Sequence, residues 1–325
     1  MTEDRILIIH FGALGDVVAT FPALLRLKEV YGSISMVCQS NVGSLARYLD
    51  IADHWYPLEA ASFASLYTSR VDPAVEKILR SFPSIILFSG SRSFEKTLLS
   101  ITGKDIYRIN SRPDPGRKTR IARHILSNLI RYKLLEESDI DVFDRLLPTI
   151  HQDRRDSDDH RLKILIHPGS GSRKKCWPIE NFIKTAAFIE TLGLLPEFIL
   201  GPAEHDFYDI LTRRKSSNAK IHKVDSSIKL ALLLKTGGGF VGNDSGVSHL
   251  SAFLGLPTVA VFGPSDPDVW EPLGRSVKIL RSHCECSPCF DTGTTGCNEI
   301  KCLNEILPED VLAAIYNLHK FRTLK

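Results

Sequence analysis

The chain has 325 residues, 43% of them apolar and 24% charged, with a net charge of +3. That length accommodates two domains of ordinary size. The small net charge makes no electrostatic case for nucleic-acid binding, and no apolar run approaches the roughly 20 residues of a membrane-spanning helix. The opening Met1-Thr2-Glu3-Asp4-Arg5 is polar and runs straight into a strand. It lacks the basic start and apolar core of a signal peptide, so a cytoplasmic location is expected.

The run R-I-L-I-I-H, residues 5–10, reads as a buried parallel strand. Phe11-Gly12-Ala13-Leu14-Gly15-Asp16 follows as a turn, and a helical pattern spans 17–30. This is the first strand–turn–helix of a Rossmann-like domain. Its G-x-x-G-D turn lacks the dinucleotide fingerprint G-x-G-x-x-G, which speaks against a nicotinamide-dependent dehydrogenase. Asp16 stands at the mouth of the turn, where a catalytic carboxylate would face the ligand crevice. It equally suits a first-turn helix position favoured by the dipole. Strands over 34–39, 85–89 and 107–110 alternate with helical stretches, the pattern of a parallel sheet covered on both faces.

Charge is uneven along the middle of the chain. Residues 92–133 hold eleven Lys and Arg against three acids, and residues 134–160 hold three Arg against nine acids. The basic stretch is either a solvated face or a surface for an anionic acceptor or membrane. Residues 151–161 have almost no apolar content and read as an acidic linker between an N-terminal domain, 1–150, and a C-terminal one, 162–325.

The second domain restarts the pattern. A strand over 162–167 leads into Pro168-Gly169-Ser170-Gly171-Ser172-Arg173-Lys174-Lys175, a small-residue loop ending in three cations. Glycine and serine let backbone amides reach an anion, and lysine supplies point charge. Cys176-Trp177-Pro178 starts the next helix. A strand over 196–200 precedes Gly201-Pro202-Ala203-Glu204-His205-Asp206. Then Gly239-Phe240-Val241-Gly242-Asn243 runs into Asp244-Ser245-Gly246, which opens a helix through His249 to Leu254. Ser and Asp cap helix starts, and the exposed N–H groups and dipole there form a seat for phosphate. The alternative is a well-capped helix and nothing more. The strand 258–262 ends in Gly263-Pro264-Ser265-Asp266-Pro267. Four such loops at one end of one sheet outline a sugar-nucleotide pocket.

Seven cysteines are present, and five cluster as Cys284, Cys286, Cys289, Cys297 and Cys302. Disulfides are not the default reading for a cytoplasmic chain. The spacing C-x2-C-x7-C-x4-C of Cys286, Cys289, Cys297 and Cys302 allows a structural zinc site, the alternative being thiols packed in a loop. Residues 308–318 read as an apolar C-terminal helix.

Four stretches together resemble glycosyltransferase family 9, the ADP-heptose:lipopolysaccharide heptosyltransferases. They are I-L-I-I-H-F-G-A-L-G-D-V-V-A-T-F-P-A-L, I-H-P-G-S-G-S-R-K-K-C-W-P, L-G-P-A-E-H and G-N-D-S-G-V-S-H-L-S-A-F-L-G-L-P-T-V-A-V-F-G-P-S-D-P. The resemblance implies a GT-B fold, two Rossmann-like parallel-sheet domains facing across a cleft, with the acceptor on the first and the nucleotide sugar on the second. It implies inverting transfer of heptose from ADP-heptose to the inner core of lipopolysaccharide with no required cofactor or metal. Asp16 would be the general base. Lys175 would face the leaving diphosphate. Gly15, Ser170, Glu204, Asp244, Ser245, Gly246 and His249 would complete the donor side, with Glu204 on ribose hydroxyls. The anionic acceptor would meet Arg92, Arg117, Lys118 and Arg120, and peripheral contact with the inner membrane is expected. A sugar-nucleotide epimerase of the same fold, or a transferase with another nucleotide sugar, stands as the alternative. A zinc-stapled nucleic-acid binder is disfavoured because the basic stretch lacks interleaved aromatics.

Overall fold

A computed structural model describes residues 5–68, 70–114, 118–139, 162–215, 219–290 and 300–323. The chain divides into two compact units, Met1–Leu146 and Leu147–Lys325. The linker expected at 151–161 lies outside the described residues.

The first unit is built on five parallel strands: β1 (Arg5–His10), β2 (Ser33–Cys38), β3 (His54–Pro57), β4 (Ser84–Phe88) and β5 (Ile106–Ile109). Their order is β3-β2-β1-β4-β5, with Ile8 opposite Met36 on one side and His10 opposite Phe88 on the other. The central strands are continuous apolar runs because helices cover both faces of the sheet. Leu7, Ile9, Leu87, Phe94 and Leu98 form one core layer. The chain builds outward from β1 to β3, then returns to β4 beside β1. The β1–β4 crevice is therefore the point where strand order reverses, the usual ligand position in open α/β sheets.

The helix expected at 17–30 is two helices, Leu14–Val18 and Phe21–Tyr31. Pro22 stands in the first turn of the second, where its missing N–H is harmless, and it cannot extend the first helix's hydrogen-bond ladder. The Thr20 hydroxyl donates to Val17 O at 2.6 Å and closes the break. Farther on, the helix Arg92–Thr102 starts at Ser91, whose Oγ accepts from Phe94 N, and ends at Gly103 with φ +64°.

The second unit has six parallel strands: β6 (Lys163–His167), β7 (Leu195–Leu200), β8 (Lys220–Lys223), β9 (Gly239–Asn243), β10 (Thr258–Phe262) and β11 (Val277–Arg281). Their order is β11-β10-β9-β6-β7-β8, so strand order reverses between β6 and β9. Ile164, Phe182, Phe198, Val241, Val261 and Ile315 share one core. Trp177 is buried against Phe182, and its indole N–H donates to Ile306 O at 3.0 Å. It therefore has a packing role. The edge strand β8 is tied in electrostatically: buried Glu197 of β7 meets His222 Nε2 at 2.9 Å and Lys163 Nζ at 3.7 Å.

Candidate active site

Because all six strands of the second unit are parallel, the loops after β6, β7, β9 and β10 leave the same edge of the sheet. Asn243, fully buried at the end of β9, binds two of them together. Its Nδ2 donates to Pro168 O at 2.8 Å and Gly169 O at 3.2 Å, and its Oδ1 accepts from Trp177 N at 2.9 Å. The Ser170 hydroxyl adds a bond to Asp244 O at 2.7 Å. Lys175 Nζ donates to Asp244 Oδ2 at 2.8 Å and lies 4.4 Å from the Phe290 ring centre. Five residues that sequence reasoning placed on the donor side, Ser170, Lys175, Asp244, Ser245 and Gly246, thus meet at the β6–β9 reversal.

Ser245 caps the helix Gly246–Phe253, its Oγ accepting from Ser248 N at 3.3 Å. Helix geometry leaves the N–H groups of Gly246 and Val247 without an intrahelical carbonyl. They head the turn beside the Lys175 ammonium, a combination suited to a diphosphate. The Ser245 hydroxyl, expected to cradle phosphate, has an acceptor lone pair committed to the cap. His249 is buried within the same helix.

Glu204 is buried, and its Oε2 accepts from Gly201 N at 2.8 Å. A Cβ placed on Gly169 would come within 2.1 Å of Glu204 Oε1, so the carboxylate lies directly against the Gly169 backbone. His167 Nε2 stands 3.7 Å from Glu204 Oε2. Burial pushes the Glu204 carboxyl up, but the interaction with His167, the Gly201 N–H and the Arg173 charge together hold it below its ordinary value. The other ring nitrogen, His167 Nδ1, is buried with no hydrogen-bond partner among the described residues.

In the first unit, Asp16 is half-buried in the Leu14–Val18 helix and its Oδ2 accepts from Ala13 N at 3.2 Å. The turn before it is held by His10, whose Nδ1 accepts from Gly12 N at 3.0 Å while the ring stacks on Phe88 at 4.9 Å. Burial pushes the His10 pKa down to about 3, so the ring is neutral near pH 7. Gly12 is tightly enclosed: an added Cβ would meet His10 Cε1 at 2.6 Å and Asp16 Cβ at 2.7 Å. Sequence reasoning assigned no role to His10, His167 or Asn243. The available signal was position, since both histidines end the first strand of their sheet.

The other expected site residues are dispersed. Arg92 heads its helix and is exposed. Lys118 is exposed, Arg120 is the exposed cap of the helix Ile121–Arg131, and Arg117 lies outside the described residues. In the cysteine loop, Cys284 Sγ is 3.2 Å from Cys286 Sγ, and Cys289 and Cys302 are buried. The loop is docked on the Gly263-Pro264 segment through Ser287 Oγ to Gly263 O at 2.6 Å and Cys289 N to Pro264 O at 2.8 Å. Cys297 lies outside the described residues. Among those described, no three His, Cys, Asp or Glu residues are arranged to hold a metal ion. Likewise no described helix is long and apolar enough to cross a membrane.

The family model for glycosyltransferase family 9 (heptosyltransferase) matches residues 139–298. Lipooligosaccharide heptosyltransferase 2 of Campylobacter jejuni subsp. jejuni serotype O:2 is 30% identical over 171 residues, 49% of this chain and 51% of that protein. The chain spans about half the length of the curated relatives it matches. Among solved structures, a glycosyl transferase family 9 protein of Veillonella parvula DSM 2008 superposes with a TM-score of 0.74 at 18% identity, over 98% of each chain. E. coli ADP-heptose lps heptosyltransferase II superposes with a TM-score of 0.71 at 16% identity, over 97% of this chain and 98% of that one. At such identities the structural likenesses speak for the fold, a GT-B chain of two Rossmann-like parallel-sheet units. With the family match over residues 139–298 and the motifs in their order, the chain is similar to glycosyltransferase family 9.

Proposed function

We propose that the protein is a heptosyltransferase that moves heptose from ADP-heptose to the inner core of lipopolysaccharide, with inversion and without a metal ion. The observation that carries this reading is the Lys175–Asp244 pair beside the Gly246–Phe253 helix start at the β6–β9 reversal. There a fixed ammonium and unpaired helix N–H groups supply the positive potential a departing diphosphate needs. The names of the curated relatives support heptose as the sugar and a lipooligosaccharide or lipopolysaccharide as the acceptor.

In this reaction the acceptor hydroxyl oxygen attacks the anomeric carbon of the donor. Its proton passes to Asp16, and the bond from the anomeric carbon to the β-phosphate oxygen breaks. The electron pair leaves with ADP, whose growing charge Lys175 and the helix N–H groups stabilise. Attack on the face opposite the leaving group inverts the anomeric centre. A positioned base contributes about 10²–10⁴-fold. Glu204, pressed on Gly169, keeps the phosphate loop in shape and presents a carboxylate for donor hydroxyls. Exposed Arg92, Lys118 and Arg120, with Arg117, would meet anionic groups of the acceptor at the cytoplasmic membrane face.

The test is a transfer assay read by mass spectrometry. Purified protein is mixed with ADP-heptose and heptose-deficient lipopolysaccharide in the presence of a chelator. A gain of one heptose mass on the acceptor is expected. Loss or isomerisation of donor without acceptor gain would favour the epimerase alternative, and dependence on added metal would remove the metal-independent mechanism.

A further inference from the structure

The β1–β4 reversal in the first unit opens onto a pocket of about 340 Å³, within the range of small-molecule sites. One wall is aromatic. Phe11 leaves the end of β1, Phe94 meets it edge-on at 5.0 Å, and Tyr67 lies over Phe94 at 5.5 Å. Tyr67 is 67% exposed, an unusual position for a large ring. The other wall is hydroxylic, formed by Ser89, Ser91, Ser93 and Thr97. Ser89 Oγ accepts from Ser91 N at 3.1 Å and keeps its proton for another acceptor. Thr97 Oγ1 donates to Ser93 O at 3.2 Å and keeps its lone pairs for another donor.

Among the described residues no charged side chain lines this pocket. Arg92 heads the helix that supplies Ser93, Phe94 and Thr97, yet it is not part of the lining. A carboxylate or phosphate seated here would lose water without gaining a counter-charge. A neutral sugar ring matches both walls: its C–H face suits the aromatic side, and its hydroxyls suit groups that both donate and accept. Phe11 of the lining directly follows β1, in the segment that leads into the Asp16 helix Leu14–Val18.

We propose that this pocket is a subsite for one neutral pyranose of the acceptor, and that the anionic parts of the acceptor bind elsewhere. Calling the ring an acceptor rests on the transferase reading; the chemistry of the pocket does not. The test uses the full chain and saturation-transfer NMR with two glycosides of similar size, a neutral methyl heptopyranoside and the methyl glycoside of a carboxylated octulosonic acid. Saturation transfer to the ring C–H protons of the neutral glycoside is expected, falling about threefold or more in Tyr67→Ala and in Thr97→Val. Transfer that neither substitution changes, or equal transfer to the carboxylated glycoside, overturns the proposal. ADP titration of the same samples separates the two readings, and thermal unfolding checks that the variants are folded. ADP binding without transfer to the heptopyranoside removes the subsite and leaves the transferase reading. Tyr67-dependent transfer without ADP binding does the reverse.

Discussion

Lys175 Nζ and Asp244 Oδ2 stand 2.8 Å apart across a sequence separation of 69 residues, joining the loop after β6 to the turn after β9. The Asp244 side chain is 7% exposed and that of Lys175 is 19% exposed. The pair holds the two loops together, and in the proposed reaction it also presents a cation to the donor.

A double-mutant cycle separates the tasks. Lys175→Met leaves a buried carboxylate unpaired. For a fully enclosed pair that costs about 3–5 kcal/mol, and the partial exposure of Lys175 lowers the expectation to about 1–3 kcal/mol. Lys175→Met combined with Asp244→Asn removes the uncompensated charge, so urea denaturation should recover most of the loss. ADP affinity, read by calorimetry, should stay about tenfold or more weaker in both variants. Recovery of ADP affinity in the double variant would show that the lysine only braces the loop.

Asp16→Asn keeps an oxygen to accept the Ala13 N–H and so preserves the turn. In the proposed reaction it removes the base. Turnover should fall by about 10²–10⁴-fold while donor affinity stays within about twofold. A loss confined to KM would make Asp16 a binding residue.

His10 makes stability depend on pH in a stated direction. Burial lowers its folded pKa from 6.5 to about 3, so between those values the unfolded chain binds more protons than the folded one. Stability from this residue is complete above pH 6.5 and is lost as pH falls toward 3, by up to about 1.4 kcal/mol per pH unit. His10→Asn keeps an oxygen for Gly12 N and should flatten that slope in denaturation curves taken across the window. Ring-nitrogen NMR should find Nδ1 unprotonated and Nε2 protonated at pH 5. An imidazolium at that pH would show that the ring is less enclosed than its packing against Phe88 implies.

The β-strands with continuous apolar runs were legible because burial on both faces leaves one chemical signature. Strand β8, Lys-Ile-His-Lys, carried no such signature, because an edge strand keeps charges that discourage further pairing. Strand β3, His-Trp-Tyr-Pro, is an edge strand of the first sheet and likewise lacks a continuous apolar run. In the candidate site, Gly, Ser and Lys in four loops pointed to an anion pocket. The partner of Asp244 was not legible, since nothing local connects it to Lys175. Nor was the role of Asn243, which looks like any turn residue until its three bonds to the 168–177 segment are seen. The aromatic and hydroxyl pocket of the first unit was hidden for the same reason. Phe11, Tyr67 and Phe94 are far apart in sequence, and only the β1–β4 reversal brings them together.

Gly169→Ala tests whether Glu204 is braced or adaptable. The added methyl carbon would fall 2.1 Å from Glu204 Oε1 and 2.5 Å from its carboxyl carbon. That carboxylate cannot swing away without giving up the Gly201 N–H at 2.8 Å and its place beside His167. The Gly169 backbone cannot retreat either, since its carbonyl accepts from Asn243 at 3.2 Å. Forcing a methyl into such a site costs about 1–3 kcal/mol. The strain falls on the loop that carries Ser170 and Lys175, so ADP affinity should weaken along with stability. Gly169→Ala combined with Glu204→Ala opens the space again. If Glu204 only shapes the loop, the double variant should bind ADP as well as Glu204→Ala alone. If the double variant is markedly weaker, the Gly169 amide itself contacts the donor, and the close approach of backbone to ligand is the reason a glycine stands there.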